Sequence, residues 1–525
     1  MGEGTPFRGG DLSVGLASVR DVTERWNRDQ VLALAPDASS QKAAQGVSSP
    51  GKWSGAGATA DALWGECRGS GSKPYLACVD LSEPAYRCSC PSRKFPCKHA
   101  LGLLLLWSAG GVPDAAEPAD WAAEWLDRRR DRAARTAVRA SAPAGGDDVG
   151  GGEAVTGGGA AGGEAGAGRA GGTAVAAGPG PADARRAAQR ERRVTAGLAE
   201  LERWLADQVR QGLATSRRHD QWDDLAKRLV DAQAPAVAGA VSRLGAVLTG
   251  DDWPARLLGE YALLHLLAVA HRRLTPAVDP AGTAIGSADA TVGSVDPAVG
   301  PAGTAVGPAG AGGGLDAALL RTVRERVGFP VAKEEVLAGE PVRDRWDVLG
   351  RRDTEHDRIT ARRVWLRGRS TGRAALVLSF APAGQALDAS LVTGTTLDAD
   401  LAFYPGSCPL RALVAARHDH APGVSAGPPP GSTVDGALDE VARALAADPW
   451  TDSWPVVLDA VVPAGSGLRA LTGPDGALAL HPACGTPWRL IAASGGHPLT
   501  VAAEWTPEGL RPLTAWDEEG RVIVL

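Results

Sequence analysis

AYRCSCPSRKFPCKHALGLLLLW (residues 85–107) gathers three of the chain's seven cysteines and one histidine into twelve residues, just ahead of a run of leucines. Cys88, Cys90, Cys97 and His99 are spaced C-x-C-x6-C-x-H. Three thiolates and an imidazole suit tetrahedral Zn²⁺, which has no geometric demand beyond four ligands. Four protein ligands leave no open position for water, so the pattern points to one structural zinc rather than a hydrolytic centre. The competing reading is a disulfide or a set of packed thiols.

Local patterning around the cluster predicts how the ligands converge. WGECRG, a GSGSKP turn and YLACVDL read as a hairpin carrying Trp64 and Tyr75. A strand near Tyr86 to Cys90 would deliver the first ligand pair. Pro91 and Pro96 bracket the following loop, and Pro96 suits the first turn of a helix. The stripe Ala100, Leu103, Leu104, Trp107 marks that helix as buried on the hairpin. Residues two apart point to nearly opposite sides of a helix, so Cys97 is expected at the loop–helix junction. The outcome is a ββα zinc unit over about residues 60–110. Cys67 and Cys78 are expected to be packed thiols that face each other across the hairpin, as Cys408 and Cys484 are elsewhere.

Further out, two stretches cannot pack a core. Residues 141–180 contain 16 Gly and 11 Ala. Residues 275–314 lack Lys, Arg and aromatics and repeat VDPA and PAGTA. Such composition buries too little apolar surface to offset the entropy of ordering. GAGRAG (166–171) formally matches a dinucleotide fingerprint but follows no strand, and carries no such site. Between the two stretches, Val194, Leu198, Leu201, Leu205 and Val209 form a helical stripe, continued by Leu225, Leu229, Leu244, Leu248 and an apolar helix from Trp253 to Leu274. His265 and His271 on it are expected to pack, and His418 and His420 to end a solvated loop. Beyond residue 315, RVWLRG, AALVLSF, PVVLDAVV, WRLIAA, LTVAAEW and RVIVL read as strands, Asp475-Gly476 as a hairpin turn, and residues near 436–447 as a helix. The sequence thus predicts an α+β multidomain chain. It has an N-terminal domain (1–138) with the ββα zinc-finger unit, a central helical region (184–274) and a C-terminal, mainly antiparallel β domain (315–525). Disordered Gly/Ala-rich linkers (139–183 and 275–314) join them.

The 525 residues carry a net charge of -6, so any nucleic-acid footprint must be local. Arg87, Arg93, Lys94 and Lys98 surround the ligands, and no acidic residue occurs between Pro84 and Pro113. These side chains could hold phosphates or a partner, or simply balance the thiolates. In DWAAEWLDRRRDRAARTAVRA, Arg128, Arg129, Arg130, Arg132, Arg135 and Arg139 either extend that surface or pair with neighbouring carboxylates. The odd cysteine count, the lack of a secretory leader in MGEGTPFRGG and the lack of a membrane-length apolar run predict a cytoplasmic protein, and the Ala/Gly/Arg-rich composition a bacterial one. No Walker A, G-x-S-x-G or H-E-x-x-H stands in a suitable context, so no catalytic residue and no organic cofactor is expected; an enzyme would need an unrecognised C-terminal site.

C-x-C-x(n)-C-x-H on a ββα scaffold resembles the SWIM zinc finger, with the six-residue spacer at the short end of its range. Carried over, Cys88, Cys90, Cys97 and His99 are the zinc ligands. The resemblance implies DNA binding or protein–protein interaction, and RNA stands beside DNA as a candidate ligand of the basic patch. It also implies, as partners, an AAA-type ATPase or a von Willebrand A-type protein, for which the chain would act as scaffold.

Overall fold

The computed structural model describes residues 25–69, 71, 73–82, 84–92, 94–141, 181–213, 220–248, 252–275, 312–356, 359–382, 385, 387–418, 427–464 and 469–525. The two Gly/Ala-rich stretches, GAGRAG, His420 and Arg93 lie outside these residues, apart from the helix ends that border the stretches.

Two short helices, α1 (Arg28–Ala33) and α2 (Ala38–Gln45), open the N-terminal unit. Asn27 caps α1 in a reciprocal capping box with Gln30, and Asp37 caps α2. A four-stranded antiparallel sheet follows in the order β1 (Trp53–Ala58), β2 (Ala62–Cys67), β3 (Tyr75–Asp80) and β4 (Ala85–Cys88). The expected hairpin is β2–β3, and β1 is an added edge strand. Alternation along β2 divides its side chains. Leu63 joins Ala77 and Val79 under α3 (Lys98–Ser108), while Ala62 and Trp64 join Cys78 under α4 (Asp120–Ser141). Residues 99–107 of α3 are all buried, because α1 and α2 cover the face turned away from the sheet. Trp26 meets Trp107 edge-on at 6.1 Å.

The central region is helical: α5 (Pro181–Gln211), α6 (Asp220–Asp231), α7 (Pro235–Arg243) and α8 (Trp253–Leu274). Val194, Leu198, Leu201 and Leu205 form the buried stripe on α5, whereas Val209 is exposed. The next helix, α9 (Gly312–Val327), packs Val323 and Val327 into the same core. The bundle therefore takes in residues on the far side of the second low-complexity stretch. His271 is buried, with Nε2 3.2 Å from Thr195 Oγ1 and 3.7 Å from a Glu191 carboxylate oxygen, while His265 is exposed.

After α10 (Lys333–Leu337) come β5 (Val342–His356), β6 (Ile359–Gly368), β7 (Ala374–Pro382), β8 (Thr396–Phe403) and β9 (Arg411–Arg417). They close a barrel in the order β5-β6-β7-β9-β8, with β7 and β9 parallel. This is the Greek-key arrangement of OB-type barrels. The chain continues through α11 (Val434–Ala447), β10 (Trp454–Pro463), β11 (Ala470–Thr472), β12 (Ala477–Ala479), α12 (Trp488–Ser494), β13 (Leu499–Thr506), β14 (Gly509–Trp516) and β15 (Val522–Val524). Its six strands form one antiparallel sheet, β12-β11-β10-β13-β14-β15. Asp475-Gly476 turns β11 into β12 as expected, with Gly473 N–H donating to Gly476 O at 2.8 Å. The sheet covers the outer face of β5, β6 and β7, where Leu349, Trp365 and Leu376 pack with Val457, Leu513 and Trp516. The approach is close enough that a Cβ on Gly350 would lie 2.6 Å from that of Leu513.

Among the expected strands, one fails outright. WRLIAA is helix α12, not a strand: Leu490 and Ser494, four apart, are its buried positions.

Candidate metal centre

The four ligands come from three local devices. β4 ends at Cys88, the turn after it carries Cys90, and Cys97 is the N-cap of α3 with extended backbone (φ -76°, ψ 164°). Pro96 precedes the cap instead of occupying the first helical turn, and its bond to Phe95 is cis. His99 is then the second residue of the helix. The four ligand atoms, one from each residue, lie within 4.8 Å of one another. Four ligands around tetrahedral zinc, at Zn–S of about 2.3 Å, are about 3.8 Å apart. Cys88 Sγ to His99 Nδ1 is 3.7 Å. The donor set therefore fits one zinc ion with little rearrangement.

The thiols of the cluster shift one another. The hydrogen bond from the Cys88 thiol pulls Cys97 down to about 4, the same bond holds Cys88 far above the ordinary thiol range, and burial raises Cys90. Zinc binds cysteine as thiolate, so its binding would expel the protons that the three thiols hold. The Tyr75 ring stacks on His99 at 4.6 Å and fixes the imidazole plane. All three cysteines pack against the apolar core beneath α3, so the centre is continuous with that core.

Cys67 and Cys78 do not face each other. Cys78 pairs with Trp64, three residues from Cys67, which places the two thiols on opposite faces of the sheet. Both are buried, and burial raises both. Cys408 is half-buried against the C-terminal core, whereas Cys484 is exposed.

The basic residues divide as well. Lys94 and Lys98 border a cleft of about 550 Å³ between α2 and the zinc loop, which Cys90 and His99 also line. Arg68, past the end of β2, contributes a third cation that the local sequence did not single out. Lys94 is bound to Asp37 at 2.7 Å and to Ser39 Oγ at 2.9 Å. Arg87 pairs in register with Cys78, on the sheet face opposite Tyr86 and Cys88. On α4, Arg128 meets Glu124, Arg129 meets the buried Asp80 at 2.8 Å and Arg130 meets Asp61 at 2.6 Å. Two of these three ion pairs tie α4 to the sheet. Near the far loop, His418 meets Asp400 at 2.9 Å.

Among the described residues, no helix is long and apolar enough to cross a membrane. No curated protein and no solved structure matches the chain. Two families do: the SWIM zinc finger over residues 78–107, and the SWIM-associated four-helix bundle domain over residues 189–285. The first begins in β3 and ends in α3, spanning all four ligands, and the second runs through α5 to α8. A finger of this type, followed by the bundle that accompanies it, makes the chain a SWIM-type zinc finger protein, with Cys88, Cys90, Cys97 and His99 positioned to bind one zinc ion.

Proposed function

We propose that this is a cytoplasmic binding protein rather than an enzyme, in which a structural zinc holds a cleft that grips the phosphate backbone of nucleic acid. The observation carrying this reading is the lining of the cleft. Arg68 and Lys98 stand there with the hydroxyls of Ser39 and Ser92, beside Lys94, whose ammonium Asp37 holds at 2.7 Å from just outside the lining. Arg68 and Lys98 are exposed. Phosphate contacts of this kind supply affinity without sequence readout, and they act locally on a chain that is acidic overall.

The test is a titration of single- and double-stranded oligonucleotides into the intact zinc-loaded protein. Arg68→Glu with Lys98→Glu should weaken binding at least tenfold while zinc content stays at one per chain. The log–log salt slope should shrink by about one for each phosphate that is no longer held. Affinity unchanged by the double reversal would overturn the reading.

A second reading, a scaffold for a protein partner such as an AAA-type ATPase or a von Willebrand A-type protein, has its own observation. α8 leaves Leu258 48% and Leu266 42% exposed. Leu258→Ser with Leu266→Ser should then abolish association with that partner and leave oligonucleotide binding untouched.

A further inference from the structure

A large cavity is remote from the zinc unit. It measures about 750 Å³ and lies in the helical bundle, walled by the first turns of α5, the α6–α7 junction and the end of α9. Four arginines line it, Arg186, Arg190, Arg193 and Arg324, against one glutamate, Glu191. That carboxylate already pairs with Arg324 at 2.9 Å. We infer that this cavity binds a small organic polyphosphate, of nucleotide size, through its arginine wall.

Three observations converge on that ligand. Arg186, Arg190 and Arg193 are four and three residues apart on α5, so one helix face carries three like charges. Arg190 and Arg324 are held flat on the Phe329 ring, at 4.5 Å and 4.1 Å from its centroid. Arg190 is fixed further by donating to Gly328 O at 2.9 Å. Guanidiniums fixed in this way present their donor forks already oriented, and the planar fork matches phosphate oxygens two at a time. The volume falls within the range of sites that enclose one small molecule, and Ala187, Ala188 and Phe329 offer apolar wall for the ester's organic body. At the rim, Gln233 closes α6 in the left-handed conformation (φ 62°), a position that glycine usually takes. Glutamine there brings a carboxamide to the wall that glycine would not.

Calorimetric titration of the intact zinc-loaded protein with inorganic tripolyphosphate and with adenosine triphosphate tests this, adenosine serving as the probe without phosphate. Both phosphates should bind one per chain, the ester more tightly, and adenosine not detectably. Arg186→Glu with Arg193→Glu should weaken both at least thirtyfold, and the milder Arg186→Ala with Arg193→Ala about tenfold. Arg192→Glu with Arg203→Glu, the same charge change on α5 away from the cavity, should stay within twofold of the parent. Circular dichroism and zinc content verify that each variant is folded. Absence of heat with either phosphate at millimolar concentration would overturn the inference. So would equal weakening by the two glutamate pairs, or binding unchanged by the cavity pair.

Discussion

Gly102 sits in α3 where a side chain has nowhere to go: a Cβ there would lie 2.6 Å from Val47 Cγ2 and 3.2 Å from Ala44 O. The helix that carries His99 can lie on α2 only because this position is bare. Gly102→Val should therefore cost about 1–3 kcal/mol by overpacking, read as a lower unfolding midpoint of the zinc-loaded protein. A midpoint unchanged or raised would contradict this packing. Cys90 is the complementary case, a residue whose loss removes a bond. Cys90→Ser should bring zinc from one per chain to near none by elemental analysis and unfold the β2–α3 unit, because metal binding supplies much of such a unit's folding energy. Full zinc content in that variant would remove Cys90 from the ligand set. The ligands were legible in the sequence because zinc restricts both residue type and spacing. The cleft was only partly legible. Arg68 reaches it from another strand, and Lys94 meets Asp37, on a helix cap far upstream, so neither relation leaves a local pattern.

Elements were legible where one periodicity dominated and ambiguous where two fitted. The α5 stripe, the β2–β3 hairpin and α11 follow from spacing alone. WRLIAA satisfies both a short buried strand and a two-turn helix, and tertiary packing of Leu490 and Ser494 settles it as α12. The arginines of α4 were ambiguous for a different reason, since their partners Asp80, in β3, and Asp61, just before β2, come from the sheet and its turn. Arg129→Met should loosen α4, because the buried Asp80 loses the Arg129 ion pair. A cost of about 1–3 kcal/mol is expected, and Asp80→Asn in the same chain should restore part of it. Additive losses in the double variant would mean the pair does not couple. In the bundle, burial lowers the pKa of His271 below its ordinary 6.5, with Glu191 opposing and Arg324 assisting. A folded-state value below that of the unfolded chain gives stability that is complete above about 6.5 and lost as pH falls. Denaturant unfolding between pH 7.5 and 5 should show that loss, and His271→Gln should flatten it relative to the parent. Parallel profiles would mean His271 is not the titrating group.

Across the whole molecule, the zinc unit and the β domain share a core that no local pattern announces. Ala389 and Val392, from the segment between β7 and β8, belong to the apolar cluster under α3. Asn27 Nδ2 donates to Val522 O at 2.9 Å, Gln30 Nε2 donates to Thr393 O at 3.2 Å, and Arg489 meets Asp29 at 2.7 Å. These contacts join residues hundreds of positions apart, which is why sequence periodicity divides the chain into independent units that the fold then sews together. The outer face of β6–β7 follows the same logic. OB-type barrels use that face for oligonucleotides, but here the C-terminal sheet packs on it through Val457, Leu513 and Trp516. Continuity of the core has a measurable consequence for the metal. Stripping zinc with a strong chelator should raise amide hydrogen exchange in β2 to β4 and α3, and then in β15 and residues 389–395, since α1 bridges the two regions. Exchange in α5 to α7 should stay as it was, because those helices contribute nothing to the shared cluster. If β15 keeps its protection while α3 loses it, the zinc unit unfolds alone, and the contacts of Asn27 and Gln30 are docking rather than shared core.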